Sequence, residues 1–346
     1  KDKGRSVFRG ERCDADELSH GDFVLPTLVE LDSLDELKRE VFGPVLHLLR
    51  YRRRDLGGLI EQINATGYGL TLGIHTRIDE TIAQVLAAAH AGNIYVNRNM
   101  VGAVVGVQPF GGHGLSGTGP KAGGPLYLYR LLAKRPPQAI GEALAAMEAA
   151  QQTQDTPLRQ LQHQHLAALA AWAETEPSQS SLAPLCHAFE AQSPSGITWL
   201  LRGPTGENNS YSILPRETVL CLADKPADLL VQLAAVLAVG SQALWDDGEY
   251  TARLHARLPE VLRARIRRVT DWQRGDVAFD AVLHHGDGDH LRDVCRQVAQ
   301  RQGPIVGVTG MPRGDTAVPL ERLVVERALS VNTAAAGGNA SLMTIG

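Results

Sequence analysis

The feature that most constrains this chain is an alternation of short β-branched runs with amphipathic stretches, which occurs twice. It runs first through Phe23 to Glu30, Ser33 to Arg39, Val45 to Tyr51, Leu56 to Asn64, Leu70 to Thr76, Asp79 to His90 and Asn93 to Asn97. Layered α/β domains need this pattern, because a strand and the helix that covers it must each offer an apolar face. The alternation resumes at Glu217 to Ala223, a helical Pro226 to Gly240, then strand-like Gln242 to Trp245 and Ala278 to His284. A turn at Gly286-Asp287-Gly288-Asp289 opens a helix through Gln300, and Pro304 to Thr309 returns as a strand. Crossovers of this length predict a parallel sheet of Rossmann-like shape. The first turn of that sheet, Ala223-Asp224-Lys225-Pro226, is not G-x-G-x-x-G. It therefore lacks the glycines that let backbone amides approach a pyrophosphate.

Between the two patterns, from Met100 to Pro125, periodicity stops and glycine takes over, as in a loop that bends sharply or lets its backbone approach a ligand. From Lys134 to Pro157 come Pro136-Pro137, a short Ala-rich helical pattern and Gln151-Gln152-Thr153-Gln154, which read as a linker. The 44% apolar content over 346 residues is enough to bury a core, and the formal charge of -4 gives no overall pull toward nucleic acid or anionic membrane. The longest strongly apolar helical stretch, Leu229 to Val239, is far short of the roughly 20 residues that span a bilayer, so a soluble chain is expected. Cysteines at 13, 186, 221 and 295 form no close pair, which suits a reducing cytoplasm. The start, Lys-Asp-Lys-Gly-Arg, has no apolar signal region and runs directly into a strand pattern, as a fragment would.

The most informative run is Glu40-Val41-Phe42-Gly43-Pro44-Val45. A carboxylate at a helix end can accept from two adjacent ribose hydroxyls, and an aromatic ring two residues on can pack beside a nicotinamide. A Glu ending a helix and a Phe entering a core would look the same. Its companions are Asn64-Ala65-Thr66-Gly67-Tyr68-Gly69-Leu70, Gly92-Asn93-Ile94-Tyr95-Val96-Asn97 and Pro109-Phe110-Gly111-Gly112-His113-Gly114-Leu115-Ser116-Gly117. Together, over about residues 20 to 132, these resemble the C-terminal third of the aldehyde dehydrogenase superfamily. The resemblance implies that Glu40 binds the nicotinamide ribose of NAD and that Phe42 packs beside it. The run Val101 to Phe110 is similar to the anchor loop of the glutamate semialdehyde branch. There, amides at the positions of Gly102 and Ala103 hold the substrate α-carboxylate, and the residue matching Phe110 lines its aliphatic part. Consecutive amides unencumbered by a large side chain do form an anion-binding nest. Some relatives carry Ser where this chain has Ala103, so a hydroxyl contact would be absent.

Further on, Gly203-Pro204-Thr205-Gly206-Glu207-Asn208-Asn209-Ser210-Tyr211, Leu214-Pro215-Arg216, Val219 to Asp224 and the ending Ser330 to Gly346 resemble the C-terminal domain of long proline utilization A proteins. The fold implied is α/β: the C-terminal part of an aldehyde dehydrogenase catalytic domain followed by a Rossmann-like α/β domain. The division expected is 1–134 for the dehydrogenase part, 135–160 for the linker, 161–329 for a non-catalytic aldehyde-dehydrogenase-like domain and 330–346 for a lid over an internal passage. By composition alone that ending would equally suit a frayed tail. The activity implied for the whole protein is NAD-dependent oxidation of L-glutamate γ-semialdehyde to glutamate, with FAD in a proline dehydrogenase module upstream. A non-catalytic assembly and channel-sealing role is the alternative. Partners implied are the upstream part of the same protein, glutamate semialdehyde and further copies in a homo-oligomer.

That chemistry needs a cysteine thiolate and a Glu-activated water. In the family the nucleophile lies upstream of the Glu40 motif, so no catalytic residue is expected here and the chain alone is expected to be inactive. Cys13 sits among carboxylates that disfavour a thiolate, Cys186 and Cys295 fall on helical patterns and Cys221 on a core strand. His284-His285-Gly286-Asp287-Gly288-Asp289-His290 has metal-ligand residue types, yet Asp287 or Asp289 suits a helix cap with the histidines at a surface edge. No metal is expected there, nor at His163-Gln164-His165, whose side chains diverge on a helix. The arginines from Arg253 to Arg274 fit a solvated face or subunit contact better than a phosphate contact.

Overall fold

The computed structural model describes residues 6–11, 21–117, 119–132 and 157–334. Cys13, most of the 134–157 linker and most of the 330–346 ending lie outside the described residues. The described residues fall into two compact units: those up to Thr66 together with Ala83–Ala89, and Gly67–Ile82 together with those from His90 onward. This division differs from the expected boundary near residue 134.

In the first unit, β1 (Val7–Arg9) pairs antiparallel with β2 (Thr27–Leu31), which pairs parallel with β3 (Val45–Leu49). The strand expected from Phe23 begins only at Thr27, and the helix expected over Ser33 to Arg39 is a single 3-10 turn, Leu34–Glu36. Ser33 and Glu36 close a capping box around it, so the local signal for a helix start is present. Helix α1 (Leu56–Ala65) follows as expected; of α2 (Asp79–Ala88), later in the chain, the residues from Ala83 onward belong to this unit and those up to Ile82 to the second.

In the second unit, β4 (Tyr68–Gly69), β5 (Thr71–Ile74), β6 (Asn93–Val96), β7 (His113–Gly114) and α3 (Tyr127–Leu131) precede a pair of helices, α4 (Pro157–Thr175) and α5 (Leu182–Gln192). Residues 157–160, assigned to the linker on composition, are the first turn of α4. Next come β8 (Thr198–Leu201), β9 (Glu207–Pro215), β10 (Thr218–Ala223), α6 (Pro226–Val239) and β11 (Gln242–Asp246). The remainder is α7 (Glu249–Arg257), α8 (Glu260–Arg263), β12 (Ile266–Val269), β13 (Ala281–His285), α9 (Gly288–Ala299), β14 (Gly307–Met311) and β15 (Val324–Asn332).

Two five-stranded sheets organise this unit. One is wholly parallel in the order β12-β11-β10-β13-β14, the Rossmann-like sheet that the crossover lengths predict. Its central strands are apolar on both sides, as a covered parallel sheet requires. Val219 and Cys221 of β10, with Ala281 and Leu283 of β13, face one core, while Leu220, Leu222 and Val282 face another around Trp272, Phe279, Val294 and Val298. Helix α6 is buried from Asp228 to Val239 because it packs on β10 on one side and under α4 and α5 on the other. Its end is closed by side chains: Gln162 Nε2 and Ser195 Oγ donate to the Val239 carbonyl at 2.9 and 2.7 Å, and Ser193 Oγ donates to that of Ala238 at 2.7 Å. Gly240 then turns the chain in the left-handed conformation.

The other sheet runs β5-β6-β15-β9-β8. Strand β15 pairs parallel with β6 and antiparallel with β9, so the last described strand is seated beside Asn93-Ile94-Tyr95-Val96. Residues 330–332, expected to begin a lid, are part of this strand.

Leu233 of α6 is fully buried in the core that this helix shares with α4, α5 and the parallel sheet. Leu233→Ala should lower stability by about 2–5 kcal/mol through lost burial and the cavity left behind, read as a lower urea midpoint at unchanged slope.

Candidate functional site

The glycine-rich stretch has almost no secondary structure of its own: a two-residue pairing of β7 with β4 and one bridge between Phe110 and Ala122. Side chains of the sheet hold it instead. Asn93, fully buried on β6, donates from Nδ2 to the Pro109 carbonyl at 3.0 Å. Its Oδ1 accepts from the Gly111 amide at 3.2 Å and from Lys121 Nζ at 2.8 Å. Lys121 Nζ also donates to the Gly111 carbonyl, and its backbone amide donates to Glu326 Oε2 of β15 at 2.7 Å. Tyr211 of β9 donates its hydroxyl to the other Glu326 oxygen at 2.5 Å. His113 Nε2 lies 2.9 Å from the Glu326 carbonyl, which makes that nitrogen the N–H donor.

Burial dominates the ionisation of this cluster. It lowers the Lys121 ammonium to about 7, against the attraction of Glu326, and raises the Glu326 carboxyl despite the hydrogen bonds that favour its charged form. The Tyr211 hydroxyl is raised by burial and by the adjoining Glu326 charge. Burial also lowers His113 to about 4. A cavity of about 650 Å³ opens beside these groups, lined by Lys121, Glu326, Arg130, Arg216 and Phe279 among others; it does not include Gly102, Ala103 or Phe110.

The sequence-predicted residues stand as follows. Glu40 and Phe42 belong to the first unit, where both are exposed. Glu40 follows an irregular stretch and not a helix, because residues 37–42 have no regular structure. The Phe42 ring is 98% exposed and so does not enter a core. Gly102, Ala103 and Phe110 belong to the second unit, in a loop stabilised by a turn in which the Val107 and Gln108 amides donate to the Val104 carbonyl at 3.0 and 3.1 Å. The Val104 amide donates to Gln108 Oε1 at 3.2 Å and the Val101 amide reaches Asn99 Oδ1 at 3.5 Å. Among the described residues the Gly102 and Ala103 amides between them have no hydrogen-bond acceptor.

Elsewhere, Asp287 caps α9 by accepting from the Asp289 and His290 amides, the capping reading of the histidine-rich turn. Two of its three histidines are not at a surface edge as expected: His290 is exposed, but His284 and His285 are buried, and His285 is fixed between Gln232 Nε2 and the Asp315 carbonyl at 2.9 and 2.8 Å. Their strand β13 is central, so its side chains turn into the two cores. Arg313 donates to Asp224 at 2.8 Å and to Asp287 at 3.2 Å, which puts an ion pair beside the ends of β10 and β13. That is where a dinucleotide fold with this strand order holds pyrophosphate, and two carboxylates there oppose one. The basic run Arg265 to Arg268 conceals β12, an edge strand that periodicity missed because two of its four residues are arginines.

Sequence comparison agrees with this architecture. Residues 1–134 match the aldehyde dehydrogenase family model. Over 99% of its length the chain is 59% identical to the bifunctional protein PutA of Salmonella typhimurium. Almost the whole chain is thus similar to one part of the longer PutA proteins. It spans 26% of that PutA relative. A 1-pyrroline-5-carboxylate dehydrogenase of Bacillus cereus is 41% identical over 130 residues, 37% of this chain and 24% of that protein. The proline utilization A structure from Corynebacterium freiburgense shares the fold over 96% of this chain and 29% of its own, with a TM-score of 0.58 at 22% identity. The aldehyde dehydrogenase fold and the mixed α/β layout are therefore those read from the motifs. The buried Asn93, Lys121, Tyr211 and Glu326 cluster was not, although Asn93 lies in a motif singled out for other reasons.

His113 gives an acid-sensitivity test. Its folded pKa of about 4 lies below the usual value near 6.5, so between these the unfolded chain binds more protons and stability is lost as pH falls. His113→Gln keeps an N–H donor and should flatten the fall in urea stability from pH 6.5 to 4.5 by about 2 kcal/mol relative to the parent.

Proposed function

We propose that this chain forms the substrate-carboxylate and nicotinamide-ribose contacts of an NAD-dependent L-glutamate γ-semialdehyde dehydrogenase within a bifunctional proline-catabolising protein. The observation that carries this reading is the pair of uncommitted amides at Gly102 and Ala103, flanked by amides that are already engaged. Two adjacent free N–H groups in a tight loop make a nest for a carboxylate, and the half-buried Phe110, seven residues further along the same segment, offers an apolar surface to a short aliphatic chain. The name of the 1-pyrroline-5-carboxylate dehydrogenase relative supports this reading, because 1-pyrroline-5-carboxylate is the cyclised form of the same aldehyde.

The exposed carboxylate of Glu40 and the 98% exposed ring of Phe42 suit a cofactor ribose and nicotinamide. NAD held there would supply the hydride acceptor. FAD belongs to the proline dehydrogenase activity in another part of the whole protein. On this reading the thiolate comes from another part of the whole protein: burial pushes the Cys186 thiol up to about 12 and raises that of Cys221 further, Cys295 lies exposed on α9, and Cys13 lies in a carboxylate-rich run that disfavours a thiolate. The chain alone is then expected to be inactive. A structural role for the region after Pro157 is compatible with this reading, supported by β15 completing the sheet that contains β6.

In the full-length protein, Phe42→Ala should raise the KM for NAD about tenfold, and Ala103→Pro, which removes one amide donor, should raise the KM for glutamate semialdehyde about ten- to a hundredfold. Each should leave the other KM within about twofold on this division of roles. Steady-state kinetics with both substrates varied checks this. An unchanged semialdehyde KM in Ala103→Pro would remove the anchor assignment.

A further inference from the structure

The anchor loop is not self-supporting. Gln108, 5% exposed, closes it by accepting the Val104 amide at Oε1, one residue beyond the two free amides. Its Nε2 donates both hydrogens to groups distant in sequence: Asn209 Oδ1 of β9 at 2.9 Å and Ser330 Oγ of β15 at 3.2 Å. Asn209 and Ser330 are 1% and 2% exposed, so neither has water as an alternative partner.

The orientation of every group in this network is determined by the next. Asn209 Nδ2 is turned to Glu207 Oε2 at 3.4 Å, which leaves Oδ1 facing Gln108. Glu207 is in turn held by Arg98 at 2.8 Å, and Arg98 also donates to Ser330 Oγ at 2.9 Å. Ser330 Oγ thus receives two donors, one from each side. Rotating the Gln108 amide by half a turn would set its oxygen against Asn209 Oδ1 and its NH₂ against the Val104 amide, two like-polarity contacts in a buried site. The loop can keep its shape only while strands β9 and β15 present these two acceptors.

We infer that Asn209 and Ser330 are specificity-determining positioning residues: by orienting Gln108 they hold the Gly102 and Ala103 amides in register for a substrate carboxylate. This rests on the reading of that loop as the carboxylate anchor. It makes strands β9 and β15, beyond the family-matched residues 1–134, part of the machinery of substrate choice. Neither residue touches substrate, and a small displacement of the nest is enough to weaken two charge-assisted hydrogen bonds while leaving the reacting carbon accessible.

The test measures kcat/KM of the full-length protein with glutamate semialdehyde and with pentanal, an aldehyde of similar chain length without the carboxylate. The parent should favour the carboxylate-bearing aldehyde strongly. In Asn209→Ala and in Ser330→Ala this preference should fall roughly tenfold, through a raised KM for glutamate semialdehyde with kcat retained. A purely structural role would lower the melting temperature and active fraction, reducing both aldehydes alike, and would overturn the inference. So would folded variants with the parent's preference. Should Asn209→Ala fail to fold, Ser330→Ala decides by the same ratio. A parent with no preference for the carboxylate would sink the anchor reading itself, and the inference with it.

Discussion

The seating of β15 between β6 and β9 is the constraint on which the second unit depends. One strand supplies three things: a parallel ladder to β6, a nine-residue antiparallel ladder to β9 and the buried side chains of Glu326 and Ser330. A glycine-rich segment loses much conformational entropy on ordering and has few side chains to offset it. Here the offset comes from elsewhere in the chain. Asn93 and Glu326 hold the part around Lys121, and Asn209 and Ser330 hold the part around Gln108. The sheet acts as a frame, and the loop takes its shape from polar groups that the frame buries.

Burying those groups is costly unless each is paired, which explains how closed the two networks are. Lys121 keeps two acceptors for its ammonium, Glu326 keeps a donor on each oxygen, and Ser330 keeps two donors. The depressed Lys121 and the raised Glu326 show that pairing does not fully offset lost hydration. Such clusters specify one arrangement strongly, because any half-made alternative strands a buried charge.

The Rossmann-like half illustrates why a frame does not imply a function. Its strand order and crossovers are those of a nucleotide-binding fold, yet Arg313 bridges Asp224 and Asp287 near its strand ends, and the first turn lacks the glycine fingerprint. It is covered on one face by α6 and then by α4 and α5, and the chain passes into it directly from β9 of the other sheet through β10.

Periodicity alone disclosed most of the elements from β3 to β6 and from β10 to β14, because a layered α/β core writes its burial pattern into consecutive residues. It failed at β12, where arginines sit on an exposed edge, and at Ser33 to Arg39, where a capping box starts a helix that stops after one turn. Motifs disclosed the family and the residues Glu40, Phe42, Gly102, Ala103 and Phe110 as candidates. Only tertiary structure decided that Phe42 stays out of any core, that His284 and His285 go into one, and that Gln108 is closed by Asn209 and Ser330. The physical reason is separation along the chain: local sequence determines what a segment can become, whereas a buried hydrogen bond between residues 108 and 330 exists only once two sheets' worth of intervening chain has folded.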